Sequence, residues 1–260
     1  MSQHLSIAAC RTGVTAPRLA AGATRRDVAE RTAAYDWSGV MQDLEVHGNA
    51  VLQGLLRPEQ CEGLAELYNH ETLFRSRVVM ARHGFGRGEY QYFNYPLPGL
   101  IQALRTALYS RLTGIANRWN QAMEIGVRYP EDHAAFLDRC HRAGQAKPTP
   151  LLLRYGGGDY NCLHQDIYGE HVFPLQVAVL LSEPGRDFSG GEFVMTEQRP
   201  RMQSRAEVIP LRQGDAVVFT VRQRPVQGRR GVYRVNLRHG VSRVRSGRRH
   251  TLGIIFHDAS

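Results

Sequence analysis

Tyr160-Asn161-Cys162-Leu163-His164-Gln165-Asp166 is the stretch on which the reading of this chain turns. His164 and Asp166 are two residues apart, and on an extended strand such residues project from the same face. One imidazole and one carboxylate side by side can share a ligand. An isolated His-x-Asp triplet is common by chance, so the weight falls on its surroundings. Upstream, Lys147-Pro148-Thr149-Pro150 ends helical structure, because proline disfavours helix at itself and at the residue before it. From there the chain reads as strand: 151–155, 175–181, 192–196, 216–221, 232–237 and 251–256 are short apolar or alternating runs divided by Gly, Pro, Asp or Ser. Closely spaced strands of this kind predict a barrel, sandwich or jelly roll.

Two histidines and one carboxylate on one side of an ion leave positions open, an arrangement suited to iron(II) that must also take a chelating cosubstrate and dioxygen. A third ligand must therefore lie elsewhere. The landmarks that follow the triplet are Gly190-Gly191-Glu192-Phe193, Pro210, Gly214 to Phe219, His239, Gly247 and Arg249. With these in order, the chain resembles the iron(II)- and 2-oxoglutarate-dependent dioxygenases, especially the branch of prolyl 4-hydroxylase domains and related bacterial proteins, over about residues 151–257. In that branch a Tyr, a Gly-containing loop and a second Tyr precede the His-x-Asp pair. Tyr155, Gly156 to Gly158, Tyr160, His164 and Asp166 stand in that order here. The distal His of the branch is followed eight residues later by Gly and ten later by a basic residue, and Gly247 and Arg249 have those offsets from His239.

The resemblance implies an α+β chain built on a double-stranded β-helix (jelly roll) with an N-terminal helical buttress. It implies Fe(2+) held by His164, Asp166 and His239, with 2-oxoglutarate and O2 as cosubstrates and succinate and CO2 as products. Arg249 is the residue implied to clasp the far carboxylate of 2-oxoglutarate, a role that suits a planar, permanently charged guanidinium. Arg248 is its rival. On a regular strand the two point to opposite faces, and the family offset favours Arg249. Tyr155 is a candidate for hydrogen bonding to the cosubstrate, as the first Tyr does in the resembling enzymes, although a half-buried strand tyrosine is also ordinary core. Cys162 shares the ligand face but reads as a small filler, and His171 as a solvated loop histidine. Gly190-Gly191-Glu192-Phe193 also spells the signature of diguanylate cyclases. Its place in a run of strands argues instead for a tight turn before a strand.

Outward from the core, residues 98–123 form the clearest helix, with Leu100, Leu104, Leu108, Leu112, Ile115 and Trp119 on one stripe. Pro58 opens another helix, and Pro130, Glu131 and Asp132 start a weaker one that runs to about residue 143. The aromatics Tyr90, Tyr92 and Phe93 can line a pocket or fill the core, with burial favoured. Residues 1–35 show no steady periodicity and are expected to be a disordered tail. Residues 36–147 are expected to be a mainly helical support region, and residues 148–260 the dioxygenase core.

The 260 residues carry a net charge of +9, with Lys147 the only lysine. Four scattered cysteines without CxxC spacing argue against a disulfide framework and for a reducing, cytoplasmic setting. No run approaches the roughly eighteen apolar residues of a membrane span, so no membrane partner is expected. Ile7 to Cys10 resemble a lipoprotein box but lack the flanking signal-peptide parts. The substrate is open: a peptide side chain or small metabolite is favoured. Nucleic acid is the alternative, as the target of demethylation or as the ligand of a non-enzymatic basic β-barrel. Fourteen arginines between Arg199 and Arg249, against Glu207 and Asp215 alone, suit an acidic polymer. The nucleic-acid demethylase branch, however, carries an arginine about seventeen residues past the distal His, where this chain has Phe256 and His257.

Overall fold

The computed structural model describes residues 24–167 and 169–260. Along the chain, α1 (Arg25–Ala33), α2 (Trp37–His47), β1 (Asn49–Leu52), α3 (Pro58–Glu66), β2 (Phe74–Val79), β3 (Gly86–Arg87), β4 (Glu89–Phe93), α4 (Gly99–Ala122) and α5 (His133–Arg142) come first. An unbroken series of strands follows: β5 (Leu151–Tyr155), β6 (Tyr160–His164), β7 (Leu175–Leu180), β8 (Phe188–Gly190), β9 (Phe193–Gln198) and β10 (Arg205–Ile209). The series ends with β11 (Ala216–Thr220), β12 (Gln223–Gly228), β13 (Gly231–Val241), β14 (Val244–Gly247) and β15 (Arg249–Ile254).

The strands make two facing antiparallel sheets. The larger runs β1-β11-β7-β15-β5-β4-β2, and the smaller β10-β9-β13-β6-β3 with β12 on β13; β8 and β14 form a separate pair. This is the double-stranded β-helix expected from the sequence. All six residues of β7 are buried, because both faces of the larger sheet are covered. Outward, Val177, Val179, Val218, Leu252 and Ile254 join a core completed by Leu104, Leu108, Leu112 and Trp119 of α4. Inward, Ala178, Val217 and Phe219 meet Phe193, Met195 and Leu237 of the smaller sheet.

The N-terminal half departs from expectation in two ways. Residues 36–147 are not merely a helical prop: β1 pairs with β11 and β4 with β5, so this region supplies both flanks of the larger sheet. Within the stretch expected to be a tail, Thr24 and Asp27 make a reciprocal capping box that starts α1. Val28 and Thr32 are then buried. The rest of the expected tail, with the Ile7 to Cys10 box, lies outside the described residues. Among the described residues no helix is long and apolar enough to cross a membrane.

Arg105, wholly buried in α4, fastens the C-terminal segment to the helix layer: it donates to the carbonyls of Ile255 (2.8 Å) and His257 (3.0 Å) and pairs with Asp258 at 2.8 Å. Beside it, His133 Nε2–H donates to Phe256 O at 2.8 Å and His257 Nδ1 accepts from Phe173 N–H at 3.2 Å, so both rings are held neutral. Burial pushes each down to about 4, against about 6.5 in an unfolded chain. With the folded value depressed, the unfolded chain binds the extra protons between those limits. Stability is therefore expected to fall as pH drops from 6.5 to 4, by about 1.4 kcal/mol per pH unit for each histidine. Denaturant midpoints across that window should show the slope, and His133→Gln should make it shallower; a midpoint flat from pH 7 to 4.5 would contradict it.

Candidate metal centre and cosubstrate pocket

β6 ends at His164, and Asp166 follows just beyond the strand. His239 lies near the end of β13, directly across the ladder from His164. The ladder is irregular at this point, and a Cβ on Gly240 would stand 2.7 Å from Asn161 O; glycine lets β13 approach β6 closely enough to bring the two imidazoles together. His164 Nε2 lies 3.4 Å from Asp166 Oδ1 and His239 Nε2 lies 3.4 Å from Asp166 Oδ2. The three side chains form a group whose ligand atoms all fall within 4.8 Å of one another. Ligands at 2.0–2.2 Å from one ion and at right angles sit roughly 3 Å apart, close to the two 3.4 Å separations here.

The protonation pattern agrees. His164 Nδ1–H donates to Cys162 O at 2.7 Å, which fixes the ring with Nε2 toward Asp166, whose carboxylate holds the imidazole above its ordinary value despite burial. Burial works against the charge on Asp166, but hydrogen bonds from His164 and His239 outweigh it and hold the carboxyl below the usual carboxylate range. Burial keeps His239 below its ordinary value, and thus neutral. An anionic carboxylate between two imidazoles, with His164 partly open to solvent, is the donor set of a 2-His-1-carboxylate iron(II) centre.

These residues line one cavity of about 310 Å³ with Tyr155, Arg249 and Thr251. Arg249 is buried, donates through Nη1 to Thr251 Oγ1, and leaves Nε without a partner among the described residues. Arg248, between β14 and β15, is exposed. Tyr155 lies across the ladder from Arg249, fully buried, with the Asn161 side chain beside its hydroxyl. A buried cation without an ion-pair partner among the described residues, in one cavity with a buried hydroxyl, is suited to an anionic ligand.

The sequence expectations divide accordingly. His164, Asp166, His239, Arg249 and Tyr155 are brought together, whereas His171 is not part of the cluster. Cys162 departs from the filler reading: it lines the cavity and is exposed. Tyr90 and Tyr92 also depart from the favoured core reading and line the cavity, while Phe93 is core. Thr251 and Gln176 were not anticipated. The only sequence signal for Gln176 is a single amide in the otherwise apolar run of β7. Gly190 and Gly191, the glycines of the cyclase-like tetrapeptide, have φ of +69° and +65°. A Cβ on Gly191 would meet Arg249 Cδ at 3.0 Å, so this turn backs the arginine stem.

Comparison with known proteins bears on this site. Two uncharacterised proteins of Mycobacterium tuberculosis are each 48% identical to the chain over 168 residues, 65% of this chain and 72% of theirs. A prolyl hydroxylase of Trichoplax adhaerens, solved in complex with a hypoxia inducible factor oxygen degradation domain peptide fragment, superposes with a TM-score of 0.51 at 16% identity, over 89% of this chain and 92% of that one. A prolyl 4-hydroxylase of Phytophthora capsici gives a TM-score of 0.53 at 16% identity, over 92% of this chain and 68% of that one. Those two likenesses are of fold. The model of the Oxygenase-NA family, described as "Oxygenase, catalysing oxidative methylation of damaged DNA", matches residues 88–259, which span every residue of the centre described above. The chain belongs to the Oxygenase-NA family of oxygenases and is an oxidoreductase.

Proposed function

We propose that this chain is an iron(II)- and 2-oxoglutarate-dependent oxygenase that oxidises an alkyl group on a damaged nucleic-acid base. The observation that carries the reading is the meeting of His164, Asp166 and His239 in one cavity with the unpaired buried cation of Arg249. Bound there, iron(II), 2-oxoglutarate and dioxygen would supply oxidation of an unactivated C–H bond, with release of succinate and CO2. His164, Asp166 and His239 hold the ion, Arg249 and Thr251 hold the far carboxylate, and Tyr155 donates its hydroxyl proton to the cosubstrate. Leu153, Val241 and the aromatic wall keep water from the reacting carbon.

The choice of substrate rests on the activity described for the family and on the arginine excess. Phe256 stands where a demethylase arginine is expected, which by sequence alone weighs against a methylated base. Phe256 packs instead against Tyr109 and Phe173 in the helical core, so that position does not face the cavity and carries no information about it. One oxygen atom goes to succinate and the other to the alkyl carbon; an N-hydroxymethyl group formed this way leaves as formaldehyde and restores the base. Hydroxylation of a peptide side chain is the second reading, favoured by the shared fold of the prolyl hydroxylases.

The test has two stages. Iron(II) and 2-oxoglutarate added without oxygen should give a weak visible charge-transfer band. In air, succinate release should rise with a single-stranded oligonucleotide carrying one N-methylated base and not with a proline-rich peptide. Absence of the band sinks the oxygenase assignment of these residues; a band with succinate release driven only by peptide sinks the nucleic-acid reading.

A further inference from the structure

Gln176 is 4% exposed, lines the cavity, and its amide nitrogen has no hydrogen-bond partner among the described residues. In register it lies across from Phe219, whose ring is 4.5 Å from that of His239, so the amide belongs to the sheet that faces the metal ligands across the cavity. A buried amide without a partner is destabilising, and native interiors keep few of them. Nothing in the metal or cosubstrate assignment uses it. Ile255, Tyr92, Arg249 and Tyr155 line the same cavity.

An amide presents adjacent donors and an acceptor in one plane, and its natural complement is a planar edge with the opposite pattern. Base edges have that pattern: Gln pairs with adenine through two hydrogen bonds at once. The walls suit a flat ring. Tyr90 and Tyr92, two apart on β4 and therefore on one face, stand with ring centroids 5.4 Å apart and planes at 85°. The Arg75 guanidinium lies 4.6 Å from the centre of the Tyr92 ring and steadies it. A cavity of about 310 Å³ is small for a folded segment and admits one extruded base beside a small cosubstrate. At the mouth, Phe85 and Leu163 are both 44% exposed while lining the cavity. Arg87, across the ladder from Tyr160, and Arg222, whose carbonyl accepts from Gln165, add exposed positive charge for a phosphate backbone.

We propose that Gln176 reads the hydrogen-bonding edge of a single base swung into the cavity between the Tyr90–Tyr92 wall and the His164, Asp166 and His239 centre. The inference rests on the oxygenase reading above and adds the residue that selects the substrate. Stacking against tyrosine is indifferent to base identity; the amide is what discriminates. Gln176→Met keeps the length of the side chain and removes only its polar end.

The experiment measures binding, with the full-length protein, iron(II) and 2-oxoglutarate kept free of oxygen. The probes are fluorescein-labelled single strands that differ only in one base, N-methylated or unmodified. The wild-type protein should prefer the methylated strand. Gln176→Met should lose about tenfold in affinity for it, the worth of one good bidentate contact. It should bind the unmodified strand as before, because those contacts are to phosphates, and should melt no lower than wild type. Equal discrimination by Gln176→Met and wild type, no discrimination by wild type, or displacement of the strand by a proline-rich peptide would each overturn the inference. A missing charge-transfer band in the wild type would instead count against the oxygenase reading beneath it, so the two failures are told apart.

Discussion

His239→Ala is expected to lower iron(II) affinity by more than about a hundredfold and to abolish the charge-transfer band, with the fold retained. Partners that only orient metal ligands are already worth 10–100-fold in affinity, and His239 is one of three direct candidates. Its ring is held in place: it lies 4.2 Å from that of His164 and is stacked on Phe193 at 6.0 Å with 15° between the planes. No other His, Cys, Asp or Glu joins the cluster among the described residues, so no substitute ligand is at hand. The fold should survive because the β13–β9 and β13–β6 ladders are made by backbone groups that the substitution leaves alone. Anaerobic titration with iron(II), followed by circular dichroism, measures both. His171→Ala, outside the cluster, is the control that should bind as wild type. Undiminished iron binding by His239→Ala would remove this residue from the centre and leave the oxygenase proposal without its third ligand.

What the sequence disclosed here was local, and what it concealed was mostly pairing. The spacing of His164 and Asp166 suggests a shared face and the neighbouring Arg248 and Arg249 suggest that one points inward, although Asp166 lies just past β6 and Arg248 just before β15. That His239 stands opposite His164 depends on two strands seventy-five positions apart in sequence (239 − 164 = 75) and on the small residue at Gly240, which no periodicity reveals. The family resemblance supplied that link. Strands β8, β10, β12 and β14 escaped because they are rich in Arg, Gln, Ser or Gly, so they lack the apolar alternation by which strands are found. Helix α1 is polar around most of its circumference, and its one clear signal, Thr24 with Asp27 three residues on, is a capping pattern rather than a hydrophobic one. Tyr90 and Tyr92 look the same in sequence whether they face a core or a cavity. Only the pairing of β4 with β5 decides it, by making β4 a wall of the pocket.

Arg249→Met is expected to raise the KM for 2-oxoglutarate by at least about a hundredfold while leaving the ligand-free protein as stable as wild type, or more so. The argument starts from the cost of the native residue. Arg249 is 1% exposed and has no carboxylate within salt-bridge distance among the described residues. Burial pushes its guanidinium down to about 10, with Tyr155 and Glu192 partly offsetting the effect, so it remains charged at neutral pH. The aromatic rings of Tyr155 and Phe188, 5.6 and 5.9 Å from its guanidinium carbon, soften that cost without cancelling it. An uncompensated buried charge weakens a fold, and methionine fills a similar volume without one. The charge becomes favourable when a carboxylate arrives, and losing one partner of such a buried pair costs about 2–5 kcal/mol, where each 1.36 kcal/mol is tenfold. Two measurements separate this from general damage. With manganese(II) as a redox-silent ion, 2-oxoglutarate at a hundred times its Kd should stabilise wild type by about 2.7 kcal/mol and should leave the melting temperature of Arg249→Met nearly unmoved. Arg248→Met, exposed just before that strand begins, should respond as wild type does. If Arg249→Met were still stabilised by 2-oxoglutarate while Arg248→Met were not, the clasp would belong to the neighbouring arginine and the alternation argument for β15 would fail with it.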